Sequence, residues 1–413
     1  MSDERAYHDS LKASWWIAAI ALLSGVGGGV VFPILPMLGV QLGLSAVLVG
    51  FILAANRITR IFFNPFTGSL IDRFGARWPV AVGLFLETVA VLAFSLALHS
   101  GSPGLWFLVG RVVWGVGSSL ILVGALAAVM AISVPRNRGR LTGRVRTSMT
   151  LGLPAGMLIG GLIADLASPN AAFLSAAAIT LVTGVFALYA LPRDAHGDAG
   201  ASHERGWKVW KGLLRLPQLQ VIWCANALIF FAVSGVLLAT LVVMIDKRGI
   251  TVFGLGSSGS AGLMMALLMV FRAIAALGAG SFLDRRRGRT ALLLPAALVT
   301  AAGFAALDVA GHDWSMALAL AVIGLGSGAL TIPLLTLLSD TASQRTQGRA
   351  MGLYQVYGDI GGSLGPVVGL QLGAMNGYGP IYLAVAAAML ATALPLYWLV
   401  RRERAEHATQ TQA

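Results

Sequence analysis

"LAANRITRIFFNPFTGSLIDRFGAR", residues 53–77, holds the conflict that decides the fold. Its flanks are apolar over a length that crosses a bilayer. Yet Arg57 and Arg60 sit inside it beside Asn56, with Asn64 one turn further on. The chain then turns through Gly68, Asp72, Arg73 and Arg77. A charged side chain at the bilayer centre costs roughly 2.5–3.5 kcal/mol on insertion scales, so cations in such a segment need a reason.

The whole chain has this apolar character. Of 413 residues, 57% are hydrophobic and 11% charged, where a soluble domain carries about a quarter charged residues. Mean hydropathy is +0.80. Apolar runs of about 20 residues mark membrane helices. Twelve are legible, at 14–38, 46–70, 78–98, 105–131, 144–166, 170–191, 218–245, 257–282, 290–310, 314–338, 350–374 and 380–400. Helices are expected throughout, because a helix satisfies its own backbone in lipid. The single Cys224 excludes an intrachain disulfide and a cysteine-built metal site. The six histidines fall in tails or connections. No metal or cofactor is expected.

The net charge of +12 follows the positive-inside rule and does not point to nucleic acid. Basic residues crowd one set of connections: Arg73 and Arg77, "RNRGRLTGRVR" (136–146), 192–216, "DRRRGR" (284–289), and Arg345 with Arg349. The opposite set has Lys247 and Arg248. Both termini and the middle connection are therefore expected in the cytoplasm. The segment 192–216 is polar and rich in Gly and charge. It reads as a linker between residues 1–191 and 217–413, two bundles of six helices, ending in an amphipathic stretch with Trp207, Trp210, Leu213 and Leu214.

The two halves repeat. "GSLIDRFGAR" (68–77) matches "GSFLDRRRGR" (280–289), which places Asp284 and Arg285 opposite Asp72 and Arg73. "GVGSSL" (115–120) matches "GLGSGAL" (324–330). Gly143, Gly152, Gly156 and Gly160 have the spacing of Gly352, Gly361, Gly365 and Gly369.

These features together resemble the major facilitator superfamily, over essentially the whole chain. Gly68, Asp72, Arg73, Gly75 and Arg77 match its loop motif, with Ala76 where a basic residue is common. Arg111 and Gly115 resemble its span-four motif, with Trp114 in place of Gln. Span five is similar to the drug/proton antiporter motif at Gly143, Gly152, Gly156, Gly160 and Gly161, with Met157 in place of Pro; span eleven carries Gly365-Pro366. "FPILP" (32–36) resembles the Pro-x-x-Pro of twelve-span drug exporters. The resemblance implies an all-α membrane protein of twelve transmembrane helices in two pseudo-symmetric bundles, working by alternating access.

Small residues every fourth position let helices approach to backbone contact. Span five is therefore expected to slide on span eight, and span eleven on span two. Gly152, Gly156, Gly160, Gly361, Gly365 and Pro366 would be the moving hardware. Gly68, Asp72, Arg73, Arg77, Asp284 and Arg285 would gate it. Arg60 and Arg272 each lie 12 residues before the loop Asp, about 13–18 Å from the cytoplasmic boundary at 1.5 Å per residue. Glu87 and Asp359 share that depth. Arg57, Arg60, Arg272, Asn56 and Asn226 are the expected substrate contacts, and Asp359 and Glu87 the expected proton carriers. The structural alternative is ion pairs, Arg60 with Asp359 and Arg57 with Glu87. Arg111 is read as a packing residue, and Asp165 and Asp308 as solvated ends of spans. "GLGSSG" (254–259) matches a dinucleotide fingerprint but lacks the preceding strand.

The reading is a secondary transporter driven by an ion gradient, since no nucleotide-binding motif is present, and not an enzyme, since the spans carry no His, Cys cluster or paired carboxylates on one helix. Its partners are a small amphipathic substrate with a negative group, protons and membrane lipids. It is expected as a monomer of the inner or plasma membrane, exporting its substrate. A flippase for anionic lipids, a membrane-embedded enzyme and a non-transporting receptor are the rivals.

Overall fold

The computed structural model describes residues 2–134, 136–191, 212–285, 290–343 and 346–401, without the side chains of 2–6, Asp9, Asp284 and Arg285. Residues 192–211 of the linker, with Trp207 and Trp210, lie outside the described residues. Among those described there is no strand. Twelve helical spans follow in order: Ser10–Gln41, Ala46–Phe74, Arg77–Ala97, Pro103–Ile132, Arg138–Leu166, Pro169–Ala190, Pro217–Arg248, Ser257–Leu283, Leu293–Val309, Asp313–Thr341, Gln347–Asn376 and Tyr378–Arg401. Ten are long and apolar enough to cross a membrane. Leu293–Val309 has 17 residues. Gln347–Asn376 has 30, diluted by its glycines, Gln355 and Asp359. Large apolar side chains are exposed, as Phe62 on span two (70%) and Leu277 on span eight (72%), a surface that suits an apolar solvent.

Span one breaks at Val31–Ile34, where Phe32 N donates to Gly29 O and Ile34 N to Val31 O. Pro33 and Pro36 cause the break, since a proline has no N–H to offer and crowds the preceding turn. Span five starts earlier than its apolar run, at Arg138. Arg144 supports that start by donating to Leu11 O at 3.2 Å and Ser14 Oγ at 2.6 Å, with its guanidinium 3.9 Å over Trp15. Most of the basic stretch 136–146 is therefore the first turns of a helix, not a loop.

The chain packs as two units, Met1–His203 with Val252–Ala266, and Glu204–Thr251 with Leu267–Ala413. Each repeats the same pairings. In the first, span one packs on five, three on four, and three on six; in the second, seven packs on eleven, nine on ten, and nine on twelve.

The glycine ladders run elsewhere than expected. Gly152 faces Leu22 and Gly25, Gly156 faces Val26 and Gly29, and Gly160 faces Val30, all on span one. Gly361 faces Ala227, Gly365 faces Phe231 and Gly235, and Gly369 faces Val236 and Thr240, all on span seven. The ladders thus bind helices inside one unit. Spacing fixes which face is small, while the neighbour is chosen by complementary small residues, Gly25 and Gly29 in one case and Ala227 and Gly235 in the other. In the first unit the face that meets span eight is Met157 and Gly161, against Ser258 and Gly262.

Span seven carries a π-helical segment, Phe230–Leu237, where it meets Gly365. A β-carbon at Gly365 would stand 2.5 Å from Gly235 Cα and 2.7 Å from Val236 N. Gly365→Ala should therefore push two backbones apart and destabilise by about 1–3 kcal/mol. Among the described residues no atom of a neighbouring element lies within 4 Å of a β-carbon built at Gly352, so Gly352→Ala should be neutral or slightly stabilising. Melting both variants in detergent checks the contrast; equal melting temperatures would refute it.

Candidate functional site

In the first unit, span two is held to span four by polar contacts. Gly115 backs on Asn56 O and Thr59. Ser119 Oγ donates to Asn64 Oδ1 at 2.7 Å and lies 2.7 Å from Thr67 Oγ1. Asn56, Arg57 and Arg60 stand half-buried on the same helix. Span two ends at Gly75, whose φ of +71° favours glycine; its N donates to Ile71 O at 2.8 Å. Ala76 is fully buried against the core, which explains why no basic residue stands there. Asp72 and Arg73 are exposed, with the Arg73 guanidinium 5.2 Å from the Phe74 ring centroid. Arg77 is half-buried, and its Nε meets no acceptor among the described residues. A β-carbon at Gly68 would meet nothing within 4 Å among the described residues. Asp284 and Arg285 end the span-eight helix, and their side chains lie outside the described residues.

Glu87 is 2% exposed on span three. Ser24 Oγ donates to its Oε2 at 3.3 Å. Among the described residues no cation comes within ion-pair distance of it, so the alternative pairing of Glu87 with Arg57 is not formed. Gly117 packs against the Glu87 stem and Gly83 O. In the other repeat Gly326 packs in the same way against Thr300 and Ala296 O. Thr300 therefore stands where Glu87 does, and it spends its hydroxyl on Ala296 O at 2.7 Å. The acid is particular to one half.

In the second unit, Gly324 and Gly328 of span ten back on the span-eight backbone at Leu268 and Arg272. Arg272 is half-buried, its guanidinium 5.9 Å from the Phe230 ring centroid. Among the described residues no acceptor takes a hydrogen bond from it. Tyr354 is within electrostatic reach of this cation. Tyr354 is buried, and its hydroxyl has no partner among the described residues. Phe230 and Asn226 both lie beside Gly358, one turn on from Tyr354. Asn226 Nδ2 donates to Tyr354 O at 2.7 Å and is 2% exposed. Its amide ties span seven to span eleven, a packing role. Asp359 is 1% exposed; its Oδ2 accepts from Gln355 Nε2 at 3.3 Å, and its backbone O accepts from Ser363 Oγ at 2.7 Å. Gly361 and Pro366 are buried on the same helix.

Three residues carry more here than their sequence showed. Tyr354 stands one position before Gln355 on span eleven, and nothing in its sequence setting marks it apart from a core aromatic. Asp165, expected in solvent, accepts from Gly259 N at 2.7 Å. Gly256 and Gly259 leave the room for its carboxylate, so the "GLGSSG" stretch cradles an anion of its own chain at a helix start. Arg248 caps the end of span nine, donating to Leu307 O, Asp308 O and Ala310 O at 3.1, 2.8 and 2.6 Å.

Comparison with known proteins gives this arrangement its family. A model of the Major Facilitator Superfamily matches residues 17–366, with a second match over 254–413. The chain belongs to the major facilitator superfamily. It is 24% identical over 392 residues to "Multidrug resistance protein MdtG" of Citrobacter koseri, covering 92% of this chain and 93% of that one. It is 23% identical over 373 residues to "Multidrug resistance protein 1" of Bacillus subtilis, covering 90% and 92%. A crystal structure of a mutant of the nucleoside transporter NupG shares the fold, with a TM-score of 0.78 at 14% identity, covering 93% of this chain and 99% of that one. Membership of the superfamily makes the protein a multi-span membrane transporter of a small molecule rather than an enzyme. The relatives named for drug resistance agree with the exporter-like motifs of spans one and five.

Proposed function

We propose that this transporter is a proton-coupled exporter of a small amphipathic compound bearing a negative group. It works as a monomer in the inner or plasma membrane, with both termini in the cytoplasm, by alternating access of its two bundles. The observation that carries the substrate reading is Arg272. A half-buried cation that meets a ring face and no acceptor among the described residues, beside an orphan phenol, suits an incoming anion. Arg57, Arg60 and Asn56 supply further polar groups to the substrate. Asn226 supports the site from behind.

Glu87 is the first candidate for the proton, since one hydroxyl is its whole polar company among the described residues. Asp359 is the second. The relatives named for multidrug resistance support export. The glycine ladders let whole bundles move as rigid pieces, and the loop residues Gly68, Asp72, Arg73 and Arg77, with Asp284 and Arg285, act as the gate.

Asp72→Asn should slow flux severalfold without lowering the melting temperature, because the exposed carboxylate serves one conformation only. Spin-label distances on the cytoplasmic side, measured with flux, check this; wild-type flux with unchanged distance populations would remove the gate.

The overall reading is tested in proteoliposomes carrying a lumenal pH dye. Octanoate, octanamide and a fluorescent anionic lipid are compared. Proton movement with octanoate and not with octanamide is expected. Lipid scrambling without octanoate flux would favour a flippase, and no movement of any of the three would overturn transport of this class.

A further inference from the structure

Arg111 lies inside the first unit, on span four, and is 2% exposed. Its guanidinium carbon is 5.8 Å from the centroid of Phe32 and 5.8 Å from that of Phe94. Ring faces answer the plane of the cation. They offer nothing to its edge. Nε and Nη2 are buried and meet no acceptor among the described residues. These two nitrogens share one edge of the guanidinium, with their N–H bonds running side by side. That edge is the fork that receives both oxygens of a carboxylate.

Packing does not account for the residue. The repeat that matches Gly115 with Gly324 and Gly117 with Gly326 matches Arg111 with Leu320. Leu320 is fully buried, so the fold fills this place with an apolar side chain when it has no other use for it. The nearest acid on the neighbouring helix does not serve. Glu87 stands seven residues before Phe94 on span three, about 10 Å away along the axis, and its hydrogen bond comes from Ser24. A single buried water could accept from both nitrogens but would leave the charge uncompensated between phenyl walls. The surroundings add to that charge. Gly115, one turn on from Arg111, backs on Asn56 O and Thr59, so the arginine lies beside the Asn56–Arg60 turn, and Arg57 acts on it electrostatically.

We infer that the Nε–Nη2 edge of Arg111, walled by Phe32 and Phe94, is a carboxylate-binding site of the first unit. The walls favour a carboxylate carried on an apolar body over a small free ion. The site is separate from Arg272 and does not rest on the substrate reading given to that residue.

Thermal melting of the purified protein tests it, with acetate, octanoate and octanamide titrated at constant ionic strength. In wild type, octanoate should raise the melting temperature with half-saturation at least tenfold below that of acetate, and octanamide should not raise it. The rise should survive in Arg272→Ala. Arg111→Met added to that Arg272→Ala variant should abolish it. Arg111→Lys in its place, which keeps the charge and loses the fork, should move half-saturation at least tenfold higher. If acetate works as well as octanoate, and both effects vanish in the double variant with Arg111→Met, the site holds a free carboxylate ion and the same chemistry stands. A rise of equal size in that double variant, or no carboxylate-dependent rise in wild type, overturns the inference.

Discussion

Arg272→Ala is expected to weaken binding of an anionic substrate by roughly tenfold to a hundredfold, and to leave the melting temperature within a few degrees of wild type. A hydrogen bond to a charged group is worth about 1.5–3 kcal/mol, which sets that range. The small stability effect follows from what the side chain does in the unliganded protein. Its contact is the Phe230 ring at 5.9 Å, and no acceptor among the described residues would be stranded by its removal. An anion, by contrast, cancels a charge that the membrane span otherwise carries at a cost. Arg272→Lys should restore binding in part, because an ammonium keeps the charge and loses the planar fork. Tyr354→Phe is the companion variant. It deletes a buried hydroxyl with no partner among the described residues, so it should hold or raise stability, while costing affinity severalfold if the phenol joins Arg272 on the ligand. The check is ligand affinity against melting temperature for all three variants. A large loss of stability in Arg272→Ala with affinity intact would make the residue a strut between spans eight and seven.

The second large effect concerns Glu87→Gln. Proton-coupled flux should fall at least tenfold, while exchange of substrate across the membrane without a pH gradient persists. Glutamine keeps the shape of the side chain and still accepts from Ser24, which stands 3.3 Å from the carboxylate. It cannot take up and release a proton. Stability should not fall, since an ionisable group buried at 2% exposure is replaced by a neutral one of the same size. The repeat supplies the control. Thr300 occupies the matching place in the other half, so Thr300→Val should leave coupling intact. Lumenal pH recording with octanoate decides the matter. Wild-type proton movement in Glu87→Gln would shift the assignment to Asp359, and wild-type movement in both Glu87→Gln and Asp359→Asn would place coupling elsewhere.

Lipid solvation made the coarse plan readable from the chain. Runs of about 20 apolar residues must be helices in a bilayer, so their order and number could be counted, and the matched loops at 68–77 and 280–289 exposed the repeat. The depth of Arg60, Arg272, Glu87 and Asp359 followed from a rise of 1.5 Å per residue. Such arithmetic gives position along an axis and the face of a helix. It does not say which helix stands opposite that face. Spacing therefore marks the glycines of spans five and eleven as close-contact faces without naming what each meets: Gly25, Gly29, Ala227 and Gly235 supply the matching surfaces on spans one and seven, while Gly161 meets span eight as expected. The same limit hid Asp165 against Gly259 N, Tyr354 within reach of Arg272, and the edge of Arg111 that meets no acceptor among the described residues. The chain's own sequence determined that it is a twelve-span, internally repeated membrane helix bundle, since the solvent imposes that on the composition. Only the tertiary structure decided which buried charges have partners, since partnership depends on side chains brought together from helices far apart in sequence.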